Sequence, residues 1–187
     1  MSELLQRAFA FAVKKHAGTN RDGEAALPYA THVADVARIL RLYGGVTDEE
    51  VLAAALLHDT VEDTETTNEE IREAFGARVA EIVAEVTREE PPDSELEGLS
   101  PDDRFWHRNN YLLAEIDAMS DAAKQIKLAD RLSNLEEARI TKPLNKLSRY
   151  NRQSTLILEH IDEGVNPRLH RKLAKLNQKI WNELAED

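Results

Sequence analysis

The chain contains no cysteine, which excludes disulfides, thiol catalysis and sulfur-ligated zinc. It is also short of positive charge: 24 Lys and Arg stand against 35 Asp and Glu, for a formal net charge of -11. That balance argues against broad binding to nucleic acid or anionic membranes, and it slows the approach of any phosphorylated substrate. A site for such a substrate therefore needs its own Lys, Arg or metal ion. Nowhere does an apolar run approach the ~20 residues of a membrane span. The N-terminus lacks the basic, apolar and small-residue order of a secretion signal. Alternating strand patterns, internal repeats and low-complexity tracts are missing too. The expectation is a soluble cytoplasmic protein with no nucleic-acid or membrane partner. Its 187 residues suit one domain over 1–187 with a full hydrophobic core.

What is present reads as helix after helix. Leu4, Leu5, Ala8, Phe9, Ala12 and Val13 recur at helical spacing and predict a helix over about 2–16. Gly18, Gly23 and Pro28 mark a loop, and a second helix over about 31–43 is stopped by Gly44-Gly45. Thr47 with Glu50 and Thr67 with Glu70 have capping-box spacing and mark the next two starts. The helix from Thr67 ends near Phe75-Gly76, another covers about 77–87, and 88–100 reads as an exposed loop. Ser100-Pro101 and Ser120-Asp121 open helices running to about Met119 and Arg139. Pro143 and Asn166-Pro167 start the last two. The prediction is all-α, a single bundle of about eight to nine helices. Its core spans about 2–162, followed by a terminal helix over about 166–184.

The chemistry centres on Leu56-Leu57-His58-Asp59-Thr60-Val61-Glu62-Asp63-Thr64, which follows the almost wholly apolar Val51-Leu52-Ala53-Ala54-Ala55. If one helix continues through both, Glu62 lies one turn above His58 and Asp63 one turn above Asp59. All four then fall within an arc of about 140° on one side. Burying that much unpaired charge is costly, and a divalent cation compensates it. Three other segments are able to contribute: His32, the loop at Asn20-Arg21-Asp22, and Asp130, which breaks the apolar stripe around Leu128 and Leu132 with Asn134 one turn on. Two imidazoles and two carboxylates form a nitrogen and oxygen set that accepts Mn, Fe or Zn, its carboxylate content favouring Mn²⁺. Each residue alone also has a structural reading. His32 suits a core histidine, Asp130 a partner of Arg131, Glu62 and Asp63 a solvated helix end, Asn134 a backbone cap and Arg21 a loop charge. Arg104 and Arg108, one turn apart, and Lys127 are candidate phosphate clamps or ordinary surface ion pairs. His16, His107, His160 and His170 lack comparable company and read as structural.

The order His32, His58-Asp59, Asp130 resembles the pattern of HD-domain metal-dependent phosphohydrolases. More narrowly, four stretches resemble the hydrolase domain of the Rel/Spo alarmone family. They are His16-Ala-Gly-Thr-Asn-Arg21 with Pro28-Tyr29 and His32, Ala55 to Thr64, Phe75-Gly76, and Lys127 to Leu135. Together they cover about residues 5–140, and no synthetase or regulatory region follows, as in a stand-alone small alarmone hydrolase. The resemblance implies an all-helical HD fold and assigns His32, His58, Asp59 and Asp130 to one Mn²⁺. It makes Glu62 and Asp63 the acidic pair acting on the attacking water, places Arg21 against guanine and Asn134 against the nucleoside. The implied reaction is hydrolysis of the 3′-diphosphate of ppGpp or pppGpp, giving GDP or GTP and pyrophosphate. Asp22 departs from the family's usual Lys, Ser133 from its His or Tyr, and Val33 from a common Pro. Other readings are an HD enzyme acting on a different nucleotide phosphoester, or a non-enzymatic nucleotide-binding module.

Overall fold

Residues Val51 to Leu57 carry no polar side chain, so the helix they form has no face suited to water, and every one of them is buried. The structure, a computed structural model, describes residues 2–21 and 27–186. Its helices are α1 (Glu3–Lys15), α2 (Ala30–Ile39), α3 (Glu49–Leu57), α4 (Thr60–Asp63), α5 (Asn68–Phe75), α6 (Ala77–Val86), α7 (Asp93–Leu96), α8 (Pro101–Ala118), α9 (Asp121–Thr141), α10 (Leu144–His160) and α11 (Pro167–Glu186). The four-residue α4 and α7 are single turns, which leaves nine longer helices. Among the described residues there is no strand, only an isolated bridge between Asn20 and Pro28. The fold is all-α, as the periodicity predicts.

The apolar α3 packs against α1, α2, α6 and α9, which enclose it. Ala8 and Ala12 face it from α1 with no exposure, and short side chains there let the two backbones approach. Burial of each Leu of α3 contributes about 1.5–3 kcal/mol. The terminal α11 adds Leu169, Leu173 and Ile180 to the same core cluster. No helix among the described residues is long and apolar enough to cross a membrane.

Four local expectations change. The start of α3 is capped by Asp48, not Thr47: the Asp48 carboxylate accepts the Glu50 amide at 3.0 Å and is itself held by Arg78 at 2.6 Å. A carboxylate at that position also meets the positive end of the helix dipole. The second helix does not run evenly to residue 43 but widens into a π-turn over Leu40–Gly44. Gly45 closes it at φ 73°, and a Cβ on Gly44 would stand 3.0 Å from Leu169 Cδ1, so a side chain there presses on the start of α11. Within the expected 88–100 loop, α7 forms a turn that buries Leu96. Finally, the central helix is interrupted at His58 and Asp59, as described below.

One buried cation fastens α9 to α10. The Arg131 guanidinium donates to Ser154 Oγ at 2.9 Å, to the Tyr150 carbonyl at 2.9 Å and to Gln153 Oε1 at 2.6 Å. Burial lowers its pKa to about 10, so it remains charged at neutral pH. Arg131→Ala removes three hydrogen bonds and should cost about 2–4 kcal/mol, read as a lowered urea midpoint with the slope unchanged.

Candidate active site

The break in the central helix is local chemistry. His58 Nδ1 lies 2.9 Å from the Ala55 carbonyl, one turn back. A carbonyl only accepts, so Nδ1 carries the proton and Nε2 points away with its lone pair. Asp59 then adopts φ -93° and ψ -3°, between helical and bridge geometry, and α4 restarts with the Asp63 amide bonded to the Asp59 carbonyl at 2.9 Å. The kink turns His58 and Asp59 to the same centre, rather than along one straight helix face.

Two further elements meet them there. His32, buried in the first turn of α2, places Nε2 3.4 Å from Asp59 Oδ2 and 3.2 Å from Asp130 Oδ1 of α9. His58 Nε2 lies 3.0 Å from Asp59 Oδ2 and 3.8 Å from Asp130 Oδ1. His32, His58 and Asp59 offer donor atoms within 4.8 Å of one another, and Asp130 Oδ1 stands 3.2 Å and 3.8 Å from the two Nε2 atoms.

The second layer fixes each donor. His32 Nδ1 is 3.3 Å from Ser133 Oγ, whose proton goes to Asp35 Oδ2 at 2.8 Å, so the serine oxygen accepts from the ring and leaves Nε2 facing the centre. Ser133 therefore does orienting work in this chain. Asp59 Oδ2 accepts from Tyr29 OH at 2.6 Å, and Asp130 Oδ1 from Asn134 Nδ2 at 2.5 Å.

Whether the donors suit a cation is tested by His58. Its Nε2 is buried and makes no aligned hydrogen bond, although a carboxylate oxygen lies 3.0 Å away. A solvent-shielded lone pair surrounded by two carboxylates and a second imidazole is what a divalent ion of intermediate softness accepts. The proton occupies the same place in its absence. Burial works to lower both imidazoles, but the Asp59 and Asp130 charges outweigh it, raising His32 and pushing His58 to about 10. Burial likewise opposes ionisation of Asp59 and Asp130, and the two imidazoles reverse it, holding both carboxyls below their ordinary range.

A pH signature follows for protein stripped of metal. His58 titrates near 6.5 when unfolded and about 10 when folded. A raised folded value means that its contribution to stability is complete below pH 6.5 and fades as pH climbs towards 10. Melting curves across that window should show Tm falling, and saturating divalent cation should flatten the slope because it displaces the proton.

Beside this set a cleft of about 820 Å³ opens, lined by the four donors' neighbours Glu62 and Asp63 and by Arg88, Arg104, Arg108 and Lys127. Burial raises the pKa of Glu62, and the Arg88 amide donates to its Oε2 at 3.0 Å. Arg104 and Arg108 of α8 line the cleft together, as their spacing predicts; Arg108 Nε pairs with Glu90 at 3.1 Å, and Arg88 with the same carboxylate at 3.0 Å. Lys127 makes no ion pair or hydrogen bond among the described residues; its charge helps lower the pKa of Asp130 and works against the rise at Glu62 without cancelling it. A side pocket of about 230 Å³ adjoins the cleft at Arg21, Tyr29 and Asn134. Arg21 Nη2 donates to Asn134 Oδ1 at 2.8 Å, and the guanidinium also pairs with Glu137. Asp22 lies outside the described residues.

Sequence reasoning missed several groups. His16, read as structural, is 3% exposed and stacks on Tyr29 with ring centroids 4.6 Å apart. Neither of its ring nitrogens has a hydrogen-bond partner, and burial holds its pKa below the ordinary value against the pull of Asp59 and Asp63. The signal was its place at the head of the stretch ending in Arg21. Arg88 and Arg149, also in the cleft wall, sit in loop and helix segments with no distinguishing pattern. The remaining histidines make contacts away from this centre: His107 bonds Glu95 at 2.8 Å, His160 bonds Asp117 at 2.9 Å, and His170 meets the Leu158 carbonyl at 3.1 Å.

Helices carrying two histidines and two carboxylates around one centre define an HD-type site, and the profile of the HD domain matches residues 8–161. The chain belongs to the HD-domain family. Within it, the chain is 36% identical over 171 residues to the guanosine-3′,5′-bis(diphosphate) 3′-pyrophosphohydrolase MESH1 of Danio rerio, covering 89% of this chain and 88% of that one. The human protein of the same name is 42% identical over 136 residues, with 73% and 69% covered. Among solved structures, a metazoan SpoT ortholog described as hydrolysing ppGpp superposes with a TM-score of 0.82 at 30% identity, covering 96% of both chains.

Proposed function

We propose that this chain is a metal-dependent phosphohydrolase that cleaves the 3′-diphosphate of guanosine-3′,5′-bis(diphosphate), releasing pyrophosphate and GDP. The observation that carries the reading is the four-donor set opening on a cleft lined by Glu62 and several cationic side chains, in a protein otherwise strongly acidic. Similarity to the MESH1 enzymes supports the choice of nucleotide.

In this reading His32, His58, Asp59 and Asp130 hold one ion, Mn²⁺ by preference for a set half of carboxylates. When bound, the ion supplies Lewis acidity, withdrawing charge from phosphoryl oxygens and easing deprotonation of water. Arg88, Arg104, Arg108 and Lys127 neutralise the phosphates, which compensates locally for the net charge of the chain. Arg21 and Asn134 hold the base and ribose at the side pocket. Glu62, made more basic by burial and held by the Arg88 amide, takes the proton of the attacking water. The bond from phosphorus to the 3′ oxygen breaks, that oxygen gains a proton, and Asp63 helps position the exchange. We assign the activity to one unit over 1–187, because α11 shares the core of the helices that carry the site.

The test is pyrophosphate release. Purified protein with Mn²⁺ and ppGpp should yield GDP and pyrophosphate in equal amounts, with a chelator abolishing and Mn²⁺ restoring the reaction. Consumption of a different phosphorylated nucleotide, with ppGpp left intact, would reject the substrate while keeping the hydrolase.

A further inference from the structure

Tyr29 touches Asp59, His32, His16 and Arg21 without being one of the four proposed ligands. Its hydroxyl donates to Asp59 Oδ2 at 2.6 Å, and burial next to that carboxylate holds the phenol protonated. Its ring stacks on His16 at 4.6 Å and 20°, meets His32 edge-on at 5.7 Å, and carries the Arg21 guanidinium carbon 5.5 Å from its centroid. Arg21 in turn donates to Asn134 Oδ1, and Asn134 Nδ2 donates to Asp130 Oδ1. Arg21 is thereby joined to both carboxylates of the donor set, through Tyr29 to Asp59 and through Asn134 to Asp130.

We propose that Tyr29 is a positioning residue that couples the Arg21 side pocket to the metal set, so that nucleoside and divalent cation bind cooperatively. The proposal rests on the assignment of His32, His58, Asp59 and Asp130 to an ion. The physical reason is ordering. Asp59 offers a correctly turned oxygen only while its other lone pairs are occupied, and the tyrosine hydroxyl occupies one of them. A nucleoside that immobilises Arg21 also immobilises the ring beneath it and the amide of Asn134, so part of the ordering needed for the ion is already done. By linkage the ion raises nucleoside affinity by the same factor. His16 serves the same end: with both nitrogens unpartnered, it contributes a flat surface that keeps the tyrosine ring in place.

Mn²⁺ titrations of the metal-stripped full chain, followed by the electron paramagnetic resonance of free Mn²⁺, test this. The probe for the side pocket is guanosine, which carries no phosphate to bridge to the ion. Wild-type protein should bind Mn²⁺ at least about fivefold more tightly at saturating guanosine. Tyr29→Phe keeps the ring and its stacking but loses the hydroxyl. It should weaken Mn²⁺ binding by about 10–100-fold and reduce the guanosine effect towards one, with Tm in the absence of metal little changed. A wild-type coupling factor of one, or Tyr29→Phe binding Mn²⁺ as tightly as wild type, overturns the proposal while leaving the donor set standing. Failure of wild-type protein to bind Mn²⁺, Zn²⁺ or Fe²⁺ removes the donor set itself, and the coupling with it.

Discussion

His58→Ala is expected to leave a folded chain with neither bound metal nor turnover. On the proposed assignment the imidazole provides one of four donors, and its Nε2 is buried without a hydrogen-bond partner. Removing it takes away one of the two imidazoles that balance Asp59 and Asp130, leaving His32 as the histidine that contacts both. Their mutual repulsion opposes the geometry a cation needs, so affinity falls beyond what loss of one ligand alone explains. Turnover should drop by at least about a thousandfold, because both charge neutralisation and water activation depend on the ion. Elemental analysis of the purified variant beside an activity assay provides the check. Wild-type metal content in this variant would show that the ion, if any, sits elsewhere.

Glu62→Gln separates the acid from the metal. The amide keeps the shape of the side chain, and its oxygen still accepts the Arg88 amide that now reaches Glu62 at 3.0 Å. Metal content should therefore match wild type, while turnover falls by about 10²–10⁴-fold, the range of a lost general base. The pH profile carries the same information. As the proposed base Glu62 would work only when ionised, and burial lifts its pKa above the 4.5 of an ordinary glutamate. The acid limb of kcat/KM should consequently lie above 4.5, with the rate falling as pH drops through it, and the limb should vanish from the residual rate of the variant. A fully active Glu62→Gln enzyme would pass the role to Asp63.

Much of this architecture was legible in the sequence because it is written in helical periodicity and in helix ends. Thr67, Ser100 and Ser120 cap their helices through the side-chain oxygen, as their spacing predicts. The positions of His58, Asp59 and Asp130 stood out for a related reason: polar groups interrupting apolar helices need partners, and partners come from other elements; His32 joined them through the family resemblance. What sequence could not convey was direction. The straight-helix arc over His58 to Asp63 missed the kink, because nothing in the spacing announces that an imidazole will turn back on the Ala55 carbonyl. The choice of Asp48 over Thr47 as cap depended on Arg78, thirty positions away. His16 looked isolated in the linear chain and is buried beside the site in three dimensions, as tertiary stacking on Tyr29 decides. Glu137, Arg88 and Arg149 entered only through contacts that the fold creates.

The donors come from α2, from the α3–α4 junction and from the middle of α9. A chain emerging from the ribosome exposes His32, His58 and Asp59 early, yet has no fourth donor until α9 is made, and no packed wall behind it until α10 follows. On the proposed ligand set, fragments that end before α9 should therefore show no hydrolysis, so activity is expected only late in synthesis.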